Sequence, residues 1–235
     1  MSFTEELSWY VRFGWAHARA ALGSAKAAHN LGRYYETTQT DRKDMSKAVL
    51  YYMKAANKGY FHAQKKLGLL YAEGKGVKQD EQKSLFWLQK VAEHHRIKAQ
   101  KGDADAQWRY AYCFVYGEGV EQDYEKAVYW TRKAAEQGSA TAQNNLGDDY
   151  ENGKGVEQSY EQAFYWYHKA AGQRNKHAQH SLGVLYRDGK GVEQDHEKAI
   201  YWLKLAIRNG RTEAVEDLKK CKGLFSEQDW YWGVD

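Results

Sequence analysis

The chain has 235 residues, enough to bury a sizeable core, and 43% hydrophobic with 28% charged residues exclude a disordered or low-complexity polymer. A net charge of +4 arises from 35 basic and 31 acidic residues mixed along the whole length. With no basic block or arm, nucleic acid is not an expected partner, and with no run of about 18 apolar residues membrane insertion is not expected either.

Proline is absent, and 9 Trp and 19 Tyr are present, a composition that suits packed helices. The opening Met1-Ser2-Phe3-Thr4-Glu5-Glu6-Leu7 has neither a basic leader region nor an apolar one. The expectation is a cytoplasmic protein, or a periplasmic one if a leader was removed ahead of Met1.

One aromatic position recurs at Trp15, Tyr51, Trp87, Trp130, Trp166 and Trp202, at intervals of 36, 36, 43, 36 and 36. A second series, Ala27, Ala63, Ala106, Ala142, Ala178 and Ala214, has intervals of 36, 43, 36, 36 and 36. Both break at the same place, so seven extra residues lie within 91–105. Seven residues make about two helical turns, which predicts a longer second helix in that repeat with its buried face kept in phase.

In chain order, residues 5–22 form an N-terminal capping helix. Five repeats follow, at 23–59, 60–101, 102–137, 138–173 and 174–209. Residues 210–235 supply a C-terminal half repeat and an aromatic cap. Each repeat opens with a helix, as in 140–150, where Ala142, Leu146, Gly147 and Tyr150 fall at helical spacing. A glycine turn such as Gly153-Lys154-Gly155 breaks it. Asp44, Asp80, Asp123, Ser159 and Asp195 then cap the second helices, with Glu125, Glu161 and Glu197 favoured in their first turns. Ala163, Trp166, Ala170 and Ala171 form the buried stripe of one such helix, and Gly59, Gly138 and Gly210 end others. Gly32, Gly68, Ala111, Gly147 and Gly183 let paired helices approach, so most recurring aromatics are expected in the core.

The pattern Ala-Gln-x-x-Leu-Gly-x-x-Tyr, Gly-Lys-Gly-Val, Asp-x-x-Lys-Ala, Trp-x-x-Lys-Ala-Ala resembles the Sel-1-like repeat, a relative of the tetratricopeptide repeat. The match runs over about 23–218. It departs at Thr38 and Thr40, where other units carry glycine, and at Lys78, Glu121, Glu157 and Glu193, where the family often has proline. The resemblance implies an all-α fold, a right-handed α/α superhelix or solenoid of helix-turn-helix repeats with capped ends.

It also implies that the first helices line a concave face. Carried across, that face holds Lys26, His29, Arg33 and Glu36 in the first unit. The second gives His62, Lys65, Leu69 and Ala72, the third Asp105, Trp108, Tyr112 and Val115. The fourth gives Thr141, Asn144, Asp148 and Glu151, the fifth His177, His180, Val184 and Arg187. Lys26, Arg33 and Lys65 make a basic strip, and Trp108 with Tyr112 an aromatic patch that the repeat pattern does not require. Such a patch flanked by charge has the composition of an interface hot spot. Alternatively, the insertion buries Trp108. An acidic or amphipathic peptide would suit both features.

The run Phe225-Ser226-Glu227-Gln228-Asp229-Trp230-Tyr231-Trp232 is expected to close the exposed end, or else to dock on a second copy or a partner. His177 and His180 share a helix face but lack a third metal ligand nearby in sequence, so no metal is expected. His94 and His95 are expected in solvent on the inserted segment. Cys113 and Cys221 lie three repeats apart, too far for a bridge, and are expected as thiols. Secreted relatives to which penicillin hydrolysis has been attached carry a disulfide in every repeat, a framework missing here. No nucleophile elbow, phosphate loop, His-Glu-x-x-His or Cys-x-x-Cys is present. No catalytic residue and no cofactor are therefore expected. The leading expectation is a non-enzymatic protein-interaction scaffold binding a protein or peptide on the concave face. The alternatives are an inhibitor or immunity protein that neutralises a toxin, and a penicillin-binding enzyme.

Overall fold

The structure, a computed structural model, describes residues 14–38 and 44–222. The first nine residues of the 5–22 capping segment, Thr40 of the first turn, Met1–Leu7 and the aromatic run 225–232 lie outside the described residues. Every element described is a helix. Helix α1 covers 14–21. Pairs of first and second helices follow: α2 (Ala25–Thr37) with α3 (Met45–Ala56), α4 (Phe61–Glu73) with α5 (Glu81–Gln100), and α6 (Ala104–Tyr116) with α7 (Tyr124–Glu136). Then come α8 (Ala140–Asn152) with α9 (Tyr160–Gly172), α10 (Lys176–Asp188) with α11 (His196–Arg208), and a single α12 (Ala214–Lys222). The chain divides into two compact units, residues up to 97 with 117–121, and residues 98–116 with 122 onward.

The second helices start where the sequence places their caps. Asp44, Asp80, Asp123, Ser159 and Asp195 accept hydrogen bonds from the backbone N–H three residues on, at 2.9 to 3.2 Å. Each satisfies a donor the helix itself cannot, which is typically worth about 1 kcal/mol. First helices α4, α8 and α10 stop at Gly74, Gly153 and Gly189, all left-handed (φ 64 to 68°). Helix α2 ends instead on Thr38 in extended conformation (φ −63°), without a left-handed glycine.

The second glycine of each turn has a separate reason. A Cβ on Gly76 would lie 2.7 Å from the Met45 carbonyl oxygen, and on Gly155 or Gly191 it would overlap the backbone of Tyr124 or Tyr160. Each turn is thus pressed on the first residue of a second helix, where only hydrogen fits. Gly119 is pressed instead on Leu88, the eighth residue of α5. The seven inserted residues are two extra turns of this helix, which has 20 residues where α3 has 12 and α7, α9 and α11 have 13.

Within the first unit, Tyr52, Leu67, Leu70 and Trp87 pack among alanines of α3 and α4. Within the second, Leu146 and Trp166 pack with Val128, Tyr167 with Leu182 and Leu185, and Leu203 with Cys221. The aromatic series is only partly core. Trp87 and Trp166 are 6% exposed, but Trp15 is 63% exposed. The residue before each aromatic, Leu50, Phe86, Tyr129, Tyr165 or Tyr201, also stands in solvent. Lys54, Lys90, Lys133 and Lys169 lie over rings of this row or its neighbours, shielding part of them.

His94 and His95 correct the expectation of solvent-facing histidines. His95 is 7% exposed, and both rings lie about 5 Å from Phe61 (5.0 and 4.8 Å between centroids). Because α5 continues past the usual length, these two residues cover the aromatic residue that opens α4.

Gly191→Ala should lower stability by more than Gly210→Ala. Both glycines have positive φ, 68 and 86°, but a Cβ at Gly210 would meet nothing closer than the Lys176 amine at 3.8 Å. The second change should cost about 1 kcal/mol from backbone strain alone, and the first at least about 2 more from the clash with Tyr160. Thermal unfolding of the two variants checks the order; equal midpoints would count against the close-approach role.

Candidate interaction face on the first helices

Neighbouring first helices meet side by side through their own side chains. In the first unit the His29 and His62 rings are 6.1 Å apart, and Lys66 reaches Glu36. In the second, Trp108 of α6 meets Asn145 of α8, while His180 and Arg187 of α10 meet Asp217 of α12. Among the positions carried across from the repeat pattern, the structure brings together His29 and His62; Glu36, Trp108, His180 and Arg187 meet other residues of the neighbouring first helix.

The first unit's basic strip is shorter than its residue types imply. Lys26, Arg33, His62 and Ala72 are exposed and Leu69 is half-buried. Lys65 is ion-paired with Glu118 at 3.2 Å. Glu36 accepts the Tyr52 hydroxyl at 2.7 Å and binds Lys66 at 2.5 Å. His29 is half-buried among Tyr52, Tyr60 and His62. Burial first, then the charges of His62 and Arg33, hold its pKa below 6.5, so this ring is neutral at physiological pH.

On α6 the two readings of Trp108 each hold in part. The ring is half-buried, packed on the cluster of Val128, Ala134 and Leu146. With the Asn145 amide oriented to satisfy both its groups, the Trp108 Nε1 donates to it at 3.0 Å and it donates to the Thr141 carbonyl at 3.2 Å. Arg109 lies 5.6 Å over the outer ring face and pairs with Asp105 at 2.7 Å. Tyr112 is 37% exposed, and Tyr116, which the sequence reading did not select, is 61% exposed. Their rings are 4.2 Å apart. The signal for Tyr116 was present, since it follows Tyr112 by four residues and so sits one turn along the same face. Val115 beside them is half-buried.

Three further placements correct the sequence reading. Asn144 is only 8% exposed, so it lies beneath the face. His180 and Arg187 are half-buried and engaged within the chain, bonded to Asp217 at 2.8 and 2.6 Å. Burial raises the Asp217 pKa, but hydrogen bonds from His180, Lys220 and Arg187 outweigh it and hold the carboxyl well below its usual range. Asp217 lies 37 and 30 residues from its partners, a pairing that local sequence does not announce. His177 and Thr141 are exposed and Val184 is half-buried. Among the described residues no group of three or more His, Cys, Asp or Glu is placed to hold a metal ion. Cys113 and Cys221 are both buried, and no disulfide joins them.

Helix α8 carries the most unusual charges. The Tyr167 hydroxyl lies 2.6 Å from both Asp148 Oδ1 and Glu151 Oε2, and Asn144 Nδ2 donates to Asp148 Oδ2 at 3.0 Å. Asp148 is solvent-exposed over much of its surface, yet lost hydration at its carboxyl and the nearby Glu151 outweigh these hydrogen bonds and raise its pKa. Asp149 is half-buried at the register that Leu70, Cys113, Leu185 and Cys221, all buried, and the half-buried Tyr34 fill in other repeats. Lost hydration first, then the charge of Asp148, push its carboxyl up from 3.8 to about 7, with Lys154 acting in the opposite direction.

These features define a helical repeat protein that exposes non-repeating aromatic residues, Tyr112 and Tyr116, on one of its first helices. The Sel1 repeat family profile matches residues 25–60, 61–94, 104–139, 140–175 and 176–210, so the chain belongs to the Sel1 repeat family. It is similar to c5321, a protective antigen present in uropathogenic Escherichia coli strains displaying an SLR fold. That likeness has 34% identity and a TM-score of 0.68, and covers 88% of this chain but 43% of the antigen. A Sel1 repeat protein from Oxalobacter formigenes is similar at 35% identity and a TM-score of 0.64, over 84% of this chain and 78% of its own length. The chain thus spans less than half the length of the first relative and most of the second.

Asp149→Leu should raise stability at pH 8 and flatten its pH dependence. In the native state Asp149 binds its proton more tightly than in the unfolded chain, so its contribution weakens the fold as pH rises from about 4 to about 7 and stays unfavourable above. The gain at pH 8 should be on the order of 1–3 kcal/mol, allowing for partial exposure. Denaturant unfolding at pH 4.5 and pH 8 checks it; parallel curves for wild type and variant would refute the core-acid account.

Proposed function

We propose that this protein is a non-catalytic scaffold that binds a protein partner through the first-helix face, with Tyr112 and Tyr116 as the anchor. The observation that carries this reading is that tyrosine pair, two rings 4.2 Å apart and tilted by 37°, with Tyr116 61% and Tyr112 37% exposed beside the half-buried Trp108. The repeat does not need them, since the registers of Tyr112 and Tyr116 hold Arg33, Leu69, Asp148 and Val184, and Thr37, Glu73, Asn152 and Asp188, in the other units. Rigid aromatic surface flanked by charge is the usual composition of an interface hot spot. Membership of the Sel1 repeat family supports the same class, because its solenoids commonly act as protein-interaction scaffolds.

Immobilised protein exposed to native lysate, followed by mass spectrometry, identifies the partner, and a binding isotherm then measures it. Tyr112→Ser with Tyr116→Ser should weaken that binding at least tenfold while the melting temperature stays within about 2 °C, since both rings are solvent-facing. Trp108→Ala is the contrasting case: removing a ring packed on the core should cost about 2–3 kcal/mol of stability. Unchanged affinity in the double tyrosine variant would refute the anchor.

A further inference from the structure

The first and fourth repeats hold the same Tyr–Glu arrangement, completed differently. In the first, Tyr52 donates to Glu36, and the Lys66 ammonium closes the site from the next first helix. Arg33 stands close enough to act on Tyr52. In the fourth, Tyr167 takes the register of Tyr52 and Glu151 that of Glu36, while Asp148 replaces Arg33 and Ser181 replaces Lys66. One cation on the carboxylate and one acting on the phenol have become none around two carboxylates. Among the described residues no cationic side chain is ion-paired with Asp148 or Glu151; Lys154, the nearby cation, lies 4.2 Å over the Tyr124 ring.

The local hydrogen bonding is also incomplete. A phenol has one proton, yet the Tyr167 oxygen lies 2.6 Å from a carboxyl oxygen on each side, so with both acids ionised one of the two contacts has no hydrogen to share. Beside them, Asn144 is 8% exposed with its Nδ2 turned on Asp148, and its buried Oδ1 has no donor. The residue beneath the two acids thus carries an unfilled acceptor of its own. The carboxylates also lie near the C-terminal end of α8, the negative end of the helix dipole, which adds to the demand for positive charge.

We propose that Asp148, Glu151 and Tyr167 form a receptor for a lysine ammonium of the partner, seated where Lys66 sits in the first repeat. An ammonium brings one charge and three donors, which matches two carboxylates and the phenol oxygen between them. This deepens the scaffold reading and rests on it: the partner presents a basic side chain to the fourth repeat besides an apolar surface to Tyr112 and Tyr116. Partner chemistry here is opposite to the acidic peptide that the basic residues of the first two repeats suggest.

The probe is acetyl-tetralysine amide, titrated at pH 8 into the full chain while side-chain carboxyl resonances are followed by carbon-detected NMR. The Asp148 and Glu151 signals should move in a saturable way, and those of exposed acids such as Glu125 and Glu197 should not. Acetyl-tetraglutamate should move neither. Asp148→Asn with Glu151→Gln should weaken the saturable binding at least fivefold without loss of melting temperature. Ser181→Lys should place an ammonium in the site from within, raise the melting temperature and block the peptide. Equal shifts at all exposed acids, or movement with calcium chloride and not with tetralysine, would overturn the proposal in favour of diffuse attraction or a divalent-cation site. A partner that needs Tyr112 and Tyr116 but is indifferent to Asp148 and Glu151 would refute the ammonium receptor alone. Saturable tetralysine binding with a partner indifferent to the tyrosines would refute the tyrosine anchor alone.

Discussion

A buried glutamine at the start of the first helices fixes how successive pairs stack. Gln64, Gln107, Gln143 and Gln179 each donate to a last-turn carbonyl of the second helix before them, at 3.0 to 3.3 Å. The side-chain oxygens of Gln107, Gln143 and Gln179 accept from Gln137, Gln173 and Asn209, which follow the next second helix, at 2.7 to 2.8 Å. One amide thus ties the ends of two second helices to the first helix between them. A buried amide left unbonded costs about 1–3 kcal/mol, so a pair that slipped by one residue would lose more than it could regain from apolar contact. The relay is directional, which hydrophobic burial is not, and it sets the rotation at which each first helix presents its outer residues.

The small residue in the middle of each first helix then decides what passes from the core to that face. A Cβ on Gly32 or Gly147 would lie within 2.6–2.7 Å of the rings of Tyr52 or Tyr167, and on Gly68 or Gly183 within 2.6–2.7 Å of Leu88 or Leu203. Where the partner is leucine, contact ends in apolar packing. Where it is tyrosine, the hydroxyl emerges at the far side and holds Glu36, or Asp148 and Glu151. The same packing rule therefore yields either a plain wall or a polar anchor, according to one residue of the second helix.

Charge balance differs along the chain for the same structural reason. Around Glu36 and around Asp217, cations from the adjoining first helix complete each acid. At α8 the adjoining register is Ser181, and the acids keep unmet demand for positive charge. Asp149 adds a carboxyl in a register that holds leucine, cysteine or tyrosine in the other units, and lost hydration raises its pKa there. A fold that tolerates this at one repeat concentrates its unmet polar chemistry there, and next to it stand the exposed rings of α6.

What the sequence determined by itself was the local and the periodic: the 36-residue repeat, the caps, the glycine turns, the lengthened α5 and the separation of the two cysteines. These are readable because both partners of an N-cap lie within three residues, and because a helix repeats its buried face by arithmetic. Only the tertiary structure decided that Asn144 lies under the face, that Asp217 claims His180 and Arg187, that His95 is buried on Phe61, and that Trp108 is half in the core. Each of those outcomes depends on the rotation of one helix against its neighbours and, for most, on a partner roughly 20 to 37 residues away, information that no local window of sequence contains. Asp149 stands between the two cases: its odd residue type was visible in the alignment of the repeats, but its meaning required knowing that the register faces inward.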